Sequence, residues 1–197
     1  MLSVYLLRHG QTPYNADGNR YCGHTDIALT DKGIEQAEAV YQRLKGIRLD
    51  AVYSSPLIRA RRTAELATGR EEVQTDERLI EIDFGGWENK TMQEFVAEDP
   101  GSWARWIDDP EHNRAGNTGE SGGEVIKRLD GFFNEMLTRH AGQTILIVGH
   151  NGVNRLYMAH KLGMPLKHYR RLFQDNSAIT LFELDDRGVF TLKKLNA

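Results

Sequence analysis

The chain has one cysteine in 197 residues, Cys22, which excludes an internal disulfide framework and a cysteine-based zinc cluster. It has no surplus of positive charge. The formal net charge is −3, against the basic balance usual for a general nucleic-acid binder. It also lacks a long hydrophobic run, since no stretch reaches the roughly 18 apolar residues of a membrane span. Met1 to Leu7 is apolar but has no basic lead-in and runs directly into Arg8-His9, unlike a secretory signal. Repeats, low-complexity tracts and linkers of domain-separating length are missing as well. What remains is 40 % hydrophobic and 27 % charged residues, the balance of a globular protein, with a cytoplasmic location and no membrane or nucleic-acid partner as the expectation.

Turn chemistry and periodicity divide the chain into alternating strands and helices. Strands are expected at 2–7, 51–54, 73–75 and 144–148. A helix over 31–45 is capped by Thr30, and one over 56–68 by Ser55, with Pro56 at its first position. Residues 10–29 read as loop. Short helices are expected at 92–98 and 102–108. Ser121-Gly122-Gly123-Glu124 has capping-box spacing for a helix over 122–140, and another helix follows at 151–162. Strands at 178–184 and 189–195 read as an edge hairpin. The sum is an α/β fold: a single three-layer domain, 1–197, with a mostly parallel central sheet, helices on both faces and a cap-like insertion at about 84–120.

Three polar clusters sit at expected strand ends: Arg8-His9-Gly10, Ser54-Ser55-Pro56 with Arg59, and Gly149-His150-Asn151-Gly152. In an open parallel sheet the carboxyl ends of the strands share one edge, where ligands bind. Arg8, His9, Arg59 and His150 are therefore expected to meet. Two arginines offer rigid donor forks for phosphate oxygens. A histidine among them offers a nucleophile that is largely neutral at pH 7. Such a set suits phosphoryl transfer without a metal, and neither a His-Glu-x-x-His pattern nor a paired aspartate cluster accompanies it.

Leu7-Arg8-His9-Gly10-Gln11-Thr12 with Asn15 resembles the signature of the histidine phosphatase superfamily, the phosphoglycerate-mutase-like proteins. Ser55-Pro56-Leu57-x-Arg59-Ala60-x-x-Thr63-Ala64 and Val148-Gly149-His150-Asn151-Gly152-Val153 are similar to its later motifs. Asn19-Arg20-Tyr21-Cys22-Gly23, with Asp26 and Leu29-Thr30-x-x-Gly33, resembles the loop between the first two. The resemblance implies that His9 carries a phosphohistidine and that Arg8, Arg59 and His150 bind the phosphoryl oxygens. It implies further that Asn15, Cys22, Gly23 and Asn151 complete the pocket. Glu81, in Leu79-Ile80-Glu81-Ile82-Asp83-Phe84-Gly85-Gly86-Trp87-Glu88, takes the proton-donor position. Asp83 and Glu88 stand close by, and ordinary loop charge is the competing reading there. Cys22 stands where many relatives have a hydroxyl residue, and a thiol is the weaker donor.

The expected function is hydrolysis of a small phosphorylated metabolite, in a short branch resembling α-ribazole and sugar-phosphate phosphatases. The adjacent arginine pair of phosphoglycerate mutases has no counterpart between Glu81 and His150. Mutase-type phosphotransfer and a non-catalytic, phospho-ligand-sensing protein are the alternatives, and a homodimer stays open. The substrate pocket beyond the phosphate is expected from Phe84 to Gly119. Trp87, Trp103 and Trp106 either line the leaving-group side or pack the cap.

Overall fold

In the parallel strands, successive side chains point to opposite faces and both faces are apolar, which requires helices on each side. The computed structural model, which describes residues 1–197, has this arrangement. β1 (Leu2–Arg8), β2 (Ala51–Ser54), β3 (Gln74–Thr75) and β4 (Thr144–Gly149) run parallel, and β5 (Ile179–Leu184) and β6 (Phe190–Lys194) run antiparallel. The spatial order is β3-β2-β4-β1-β5-β6. Leu2, Val4 and Leu6 face one core with Ile145 and Ile147; Leu7 faces the other with Leu146 and Val148.

The helices follow from caps and amphipathic spacing. Thr30 caps α2 (Asp31–Leu44), its side chain accepting from the Gly33 N–H. Ser121 and Glu124 form the expected capping box of α6 (Gly122–Arg139), which buries Val125, Leu129, Phe132, Phe133 and Met136. α7 (Asn151–Lys161) joins α6 over the larger core, and α3 (Ile58–Thr68) joins α2 over the smaller.

Three local readings need correction. The segment 10–29 contains a short helix, α1 (Pro13–Ala16), built on a Thr12/Asn15 capping box with Pro13 in its first turn. α3 starts at Ile58 rather than 56, and Ser55 is not its cap. The Ser55 hydroxyl accepts from the Leu57 N–H, and the Ile58 N–H donates to Asp26 Oδ1 at 2.7 Å. A carboxylate from a distant loop thus takes the N-terminal position, where the helix dipole favours negative charge. The helix expected at 102–108 begins two residues earlier. α4 (Met92–Glu98) precedes α5 (Pro100–Asp108), and Asp99 caps α5.

Register puts the polar clusters side by side. Arg8 pairs with Gly149 and Ser54 with Val148, so the chain leaves all three strands at one edge. The His9 N–H donates to the Gly149 carbonyl at 3.1 Å and the Ser55 N–H to Val148 at 3.0 Å, one residue past each ladder. Gly10 can have no side chain. A Cβ there would stand 2.4 Å from the Gly33 carbonyl oxygen, because the segment after His9 lies against the first turn of α2.

Candidate active site

His9 and His150 follow directly from that register. Their rings stand edge to face, centroids 5.1 Å apart, and both are buried. His9 Nδ1 lies 2.7 Å from the Gly10 carbonyl oxygen. A carbonyl can only accept, so Nδ1 carries the proton and Nε2 holds a free lone pair, the arrangement a nucleophile needs. His150, in the N-cap position of α7, has no hydrogen-bond partner at either ring nitrogen.

Burial pushes the pKa of both imidazoles well below the usual 6.5. For His9 the cationic Arg59 and Arg8 add to this, and for His150 Arg59 and His9 do. The folded protein therefore holds both neutral where the unfolded chain would protonate them. Stability is complete above about pH 6.5 and falls as the pH drops below it, by up to about 1.4 kcal/mol per unit for each histidine. Urea unfolding at about pH 7.5 and about pH 5.5 should show the lower midpoint at the lower pH. A midpoint unchanged between them would mean that these imidazoles titrate as in the unfolded chain.

The arginines are disposed differently. Arg8 donates from Nη1 to the Gln174 carbonyl at 2.9 Å, its Nε is unpartnered, and burial lowers its pKa to about 10. Arg59, in the first turn of α3, is fully buried. It donates to the carbonyls of Thr25 (2.7 Å), Gly23 (2.7 Å) and Cys22 (3.2 Å), leaving Nε unpartnered. It thus fixes the 22–25 loop and sets positive charge beneath the imidazoles. Buried polar atoms are nearly always paired. Unpaired donors gathered here, on Arg8, Arg59 and His150, make a site for an anion.

Glu81 approaches from the other side. Its Oε1 accepts from the N–H groups of Ile82 and Val153, and its Oε2 from Gly152, each at 3.0 Å. The carboxylate therefore caps α7. Gly152 makes the approach possible, since a Cβ there would meet Glu81 Oε1 at 2.7 Å. Three acceptor positions are used of the roughly four a carboxylate has, which leaves one for proton exchange. Arg128 holds the same loop by donating to the carbonyls of Arg78 (2.6 Å) and Glu81 (3.3 Å). It also pairs with Glu120, whose Oε2 accepts from the Asp83 N–H.

A cleft of about 390 Å³ opens over these groups. Of the residues expected in the site, Arg8, His9, Asn15, Cys22, Glu81 and Asn151 line it. Arg59 and His150 are buried behind that wall, and Gly23 is not part of it. Asn15 Oδ1 accepts from Thr12 and Asn176, so only its amide hydrogens can meet a ligand. The Gly23 N–H is occupied by the Glu88 carboxylate at 2.9 and 3.0 Å, which gives Glu88 a definite structural task. Burial raises the Cys22 thiol to about 11, and Sγ donates to the Thr25 carbonyl.

The outer wall differs from the expectation. Of Phe84–Gly119 only Phe84 reaches the cleft. Trp87 and Trp106 are buried in the larger core, and Trp103 packs against it beside Tyr21. The remaining wall comes from Asn19, Arg20 and Tyr21 of the loop before Cys22, and from Arg155 on α7 and residues within 169–176, the last two not singled out in the sequence. Arg155 had a legible signal: it lies four residues, one helical turn, beyond Asn151. The segment 169–176 had none, being the end of a short 3-10 helix (Leu166–Arg171) and irregular chain beyond it. Its Asn176 and Ser177 bind back to the carbonyls of Arg8 and His9.

Comparison with known proteins agrees with this geometry. The family described as the histidine phosphatase superfamily (branch 1) matches residues 4–197. Phosphoserine phosphatase 1 of Hydrogenobacter thermophilus is 34 % identical over 195 residues, 98 % of this chain and 92 % of that protein. The adenosylcobalamin/α-ribazole phosphatase of Escherichia coli is 32 % identical over 198 residues, 100 % of this chain and 96 % of that protein. Among solved structures, a phosphoserine phosphatase variant from Entamoeba histolytica in complex with phosphoserine superposes with a TM-score of 0.90. The two are 31 % identical, over 100 % of this chain and 98 % of that one.

Proposed function

Because the chain belongs to the histidine phosphatase superfamily, in which it is a phosphomonoester hydrolase, we propose that His9 is its nucleophile and Glu81 its proton donor and acceptor. In the first step His9 Nε2 forms a bond to phosphorus, the ester P–O bond breaks in line, and Glu81 gives the leaving oxygen a proton. In the second, water attacks the phosphohistidine. Its proton goes to Glu81, the P–N bond breaks, and inorganic phosphate leaves. The His9 Nδ1–H, bonded to Gly10, faces a fixed acceptor throughout and supports the positive charge that the ring gains.

The equatorial oxygens meet the unpaired donors of Arg8 and His150, and the amides of Asn15 and Asn151 lie in the same walls. Arg59 supplies fixed charge from beneath and its free Nε–H. These groups are already in place before substrate arrives, so little reorganisation opposes charge build-up. Cys22, with its thiol turned to Thr25, shapes the wall through its backbone and bulk. The segment at about 84–120 is assigned as a cap that packs Tyr21 and the cleft rim.

One observation carries the reading: a neutral imidazole with a free Nε2, beside a second imidazole with both nitrogens unpaired, in an arginine-walled cleft. The substrate is a small phosphorylated metabolite, which suits the cleft volume and the phosphoserine and α-ribazole phosphatases among the relatives. With substrate labelled in its phosphoryl group and an acceptor alcohol present, the label should appear as inorganic phosphate. Quantitative transfer to the acceptor would identify a mutase instead.

A further inference from the structure

Several arginines of this protein are paired with carboxylates: Arg20 at the cleft rim with Asp17 and Glu94, Arg78 with Asp76 and Glu135, Arg128 with Glu120. Besides Arg8, two arginines of the cleft wall are not. Arg155 has no ion pair and no hydrogen-bond partner at its buried Nε, and its guanidinium lies over the Tyr169 ring, 5.3 Å from the centroid. Arg170 donates to the Tyr21 hydroxyl at 3.0 Å and stacks 4.9 Å from the Trp103 centroid. Both are positioned by aromatic faces and a phenol, groups that hold a guanidinium still without neutralising it.

The carboxylates of the same wall are engaged elsewhere. Glu81 caps α7, and Asp175 accepts from Asn196 Nδ2 at 3.1 Å. Burial lowers the pKa of Arg155, and the nearby positive charge of Arg170 lowers it further. Two like charges held together in a half-buried wall are costly unless an anion joins them.

We propose that Arg155 and Arg170 form a second anion subsite that grips a carboxylate carried by the leaving alcohol. The preferred substrates are then phosphate esters of short-chain hydroxy acids, not neutral sugar or nucleoside phosphates. This rests on the phosphatase reading above. Arg155 sits one helical turn, about 6 Å, beyond Asn151 at the phosphate end of α7, which suits a short carbon chain between the two groups. A singly charged carboxylate fits better than a second phosphate, because two dianions in one small cleft repel each other. The planar guanidinium fork matches a carboxylate in two-point contact.

The test compares kcat/KM for phosphoserine and 3-phosphoglycerate with phosphoethanolamine and glycerol phosphate, matched esters that lack the carboxylate. The wild-type protein should favour the carboxylated esters roughly ten- to a hundredfold, the worth of a charge-assisted hydrogen bond. Arg155→Met and Arg170→Met should each collapse that ratio toward one, chiefly through KM of the carboxylated ester, and Arg155→Lys should restore part of it. A wild-type ratio near one, or a ratio that both methionine variants preserve, overturns the proposal. Should the variants not fold, glycerate must still inhibit wild-type hydrolysis of glycerol phosphate competitively, and absence of inhibition overturns it equally. Failure of the wild-type protein to hydrolyse any ester in the panel would instead sink the phosphatase reading itself.

Discussion

Replacing His9 with alanine should lower kcat for phosphomonoester hydrolysis by at least about 10⁴-fold, the scale seen when a covalent nucleophile is removed. No neighbour can take its place. Arg8 and Arg59 have no lone pair to offer, and His150 has no carbonyl at either ring nitrogen to fix the nucleophilic tautomer as Gly10 does for His9. The fold should survive. His9 packs edge-on against His150 and bonds only to the adjacent Gly10 carbonyl, while the Arg8–Gly149 register and the His9 main-chain bonds to Gly149 and Asn176 do not depend on its side chain. Steady-state kinetics with p-nitrophenyl phosphate, alongside thermal unfolding, checks both halves. Activity within tenfold of wild type would remove His9 from the reaction.

Glu81→Gln should act on the two steps unequally. With an alkyl phosphate the leaving oxygen needs a proton, and loss of the general acid should reduce kcat by about 10²- to 10⁴-fold. With p-nitrophenyl phosphate the leaving group departs without help, so phosphorylation of His9 stays fast while the attack of water, which needs a base, is slow. A burst of nitrophenolate approaching one equivalent per active site should therefore precede slow turnover. The amide can keep one oxygen among the three N–H donors of Ile82, Gly152 and Val153. Its NH2 faces donors, a loss of about 1–2 kcal/mol in stability that thermal unfolding measures. Equal slowing of alkyl and nitrophenyl esters, without a burst, would assign Glu81 to the helix cap alone.

Much of this site was readable because its members end strands. Arg8-His9, Ser54-Ser55 and Gly149-His150 close apolar runs of strand length, and a parallel sheet brings such ends to one edge whatever the family. Glu81 was placed by resemblance alone. Its contact with the α7 N-terminus spans residues far apart in sequence and leaves only a permissive Gly152 as a trace. The Asp26 cap on α3 is of the same kind, and the nearer Ser55-Pro56 pair concealed it. Phe84–Gly119 reaches the cleft only through Phe84, and of the two readings open for its tryptophans, which are large and apolar, packing holds. Burial in the core, with Trp87 and Trp106 nearly inaccessible, satisfied them better than a wet cleft would. The true outer wall, from Tyr169 to Asn176, has no periodicity to read. It is held to the end of β1 by the Asn176 side chain, the Arg8 guanidinium and the N–H of the following Ser177, and becomes visible only when the chain is folded.

The central claim is a covalent bond from phosphorus to one ring nitrogen of His9. Rapid quench of Glu81→Gln in alkaline denaturant after mixing with phosphate-labelled p-nitrophenyl phosphate, followed by peptide mapping above neutral pH, measures it directly. The label should be stable to base, labile to acid, bound at Nε2, and confined to the peptide containing His9. A labelled burst with all phosphate found free, or on any other residue, would contradict it.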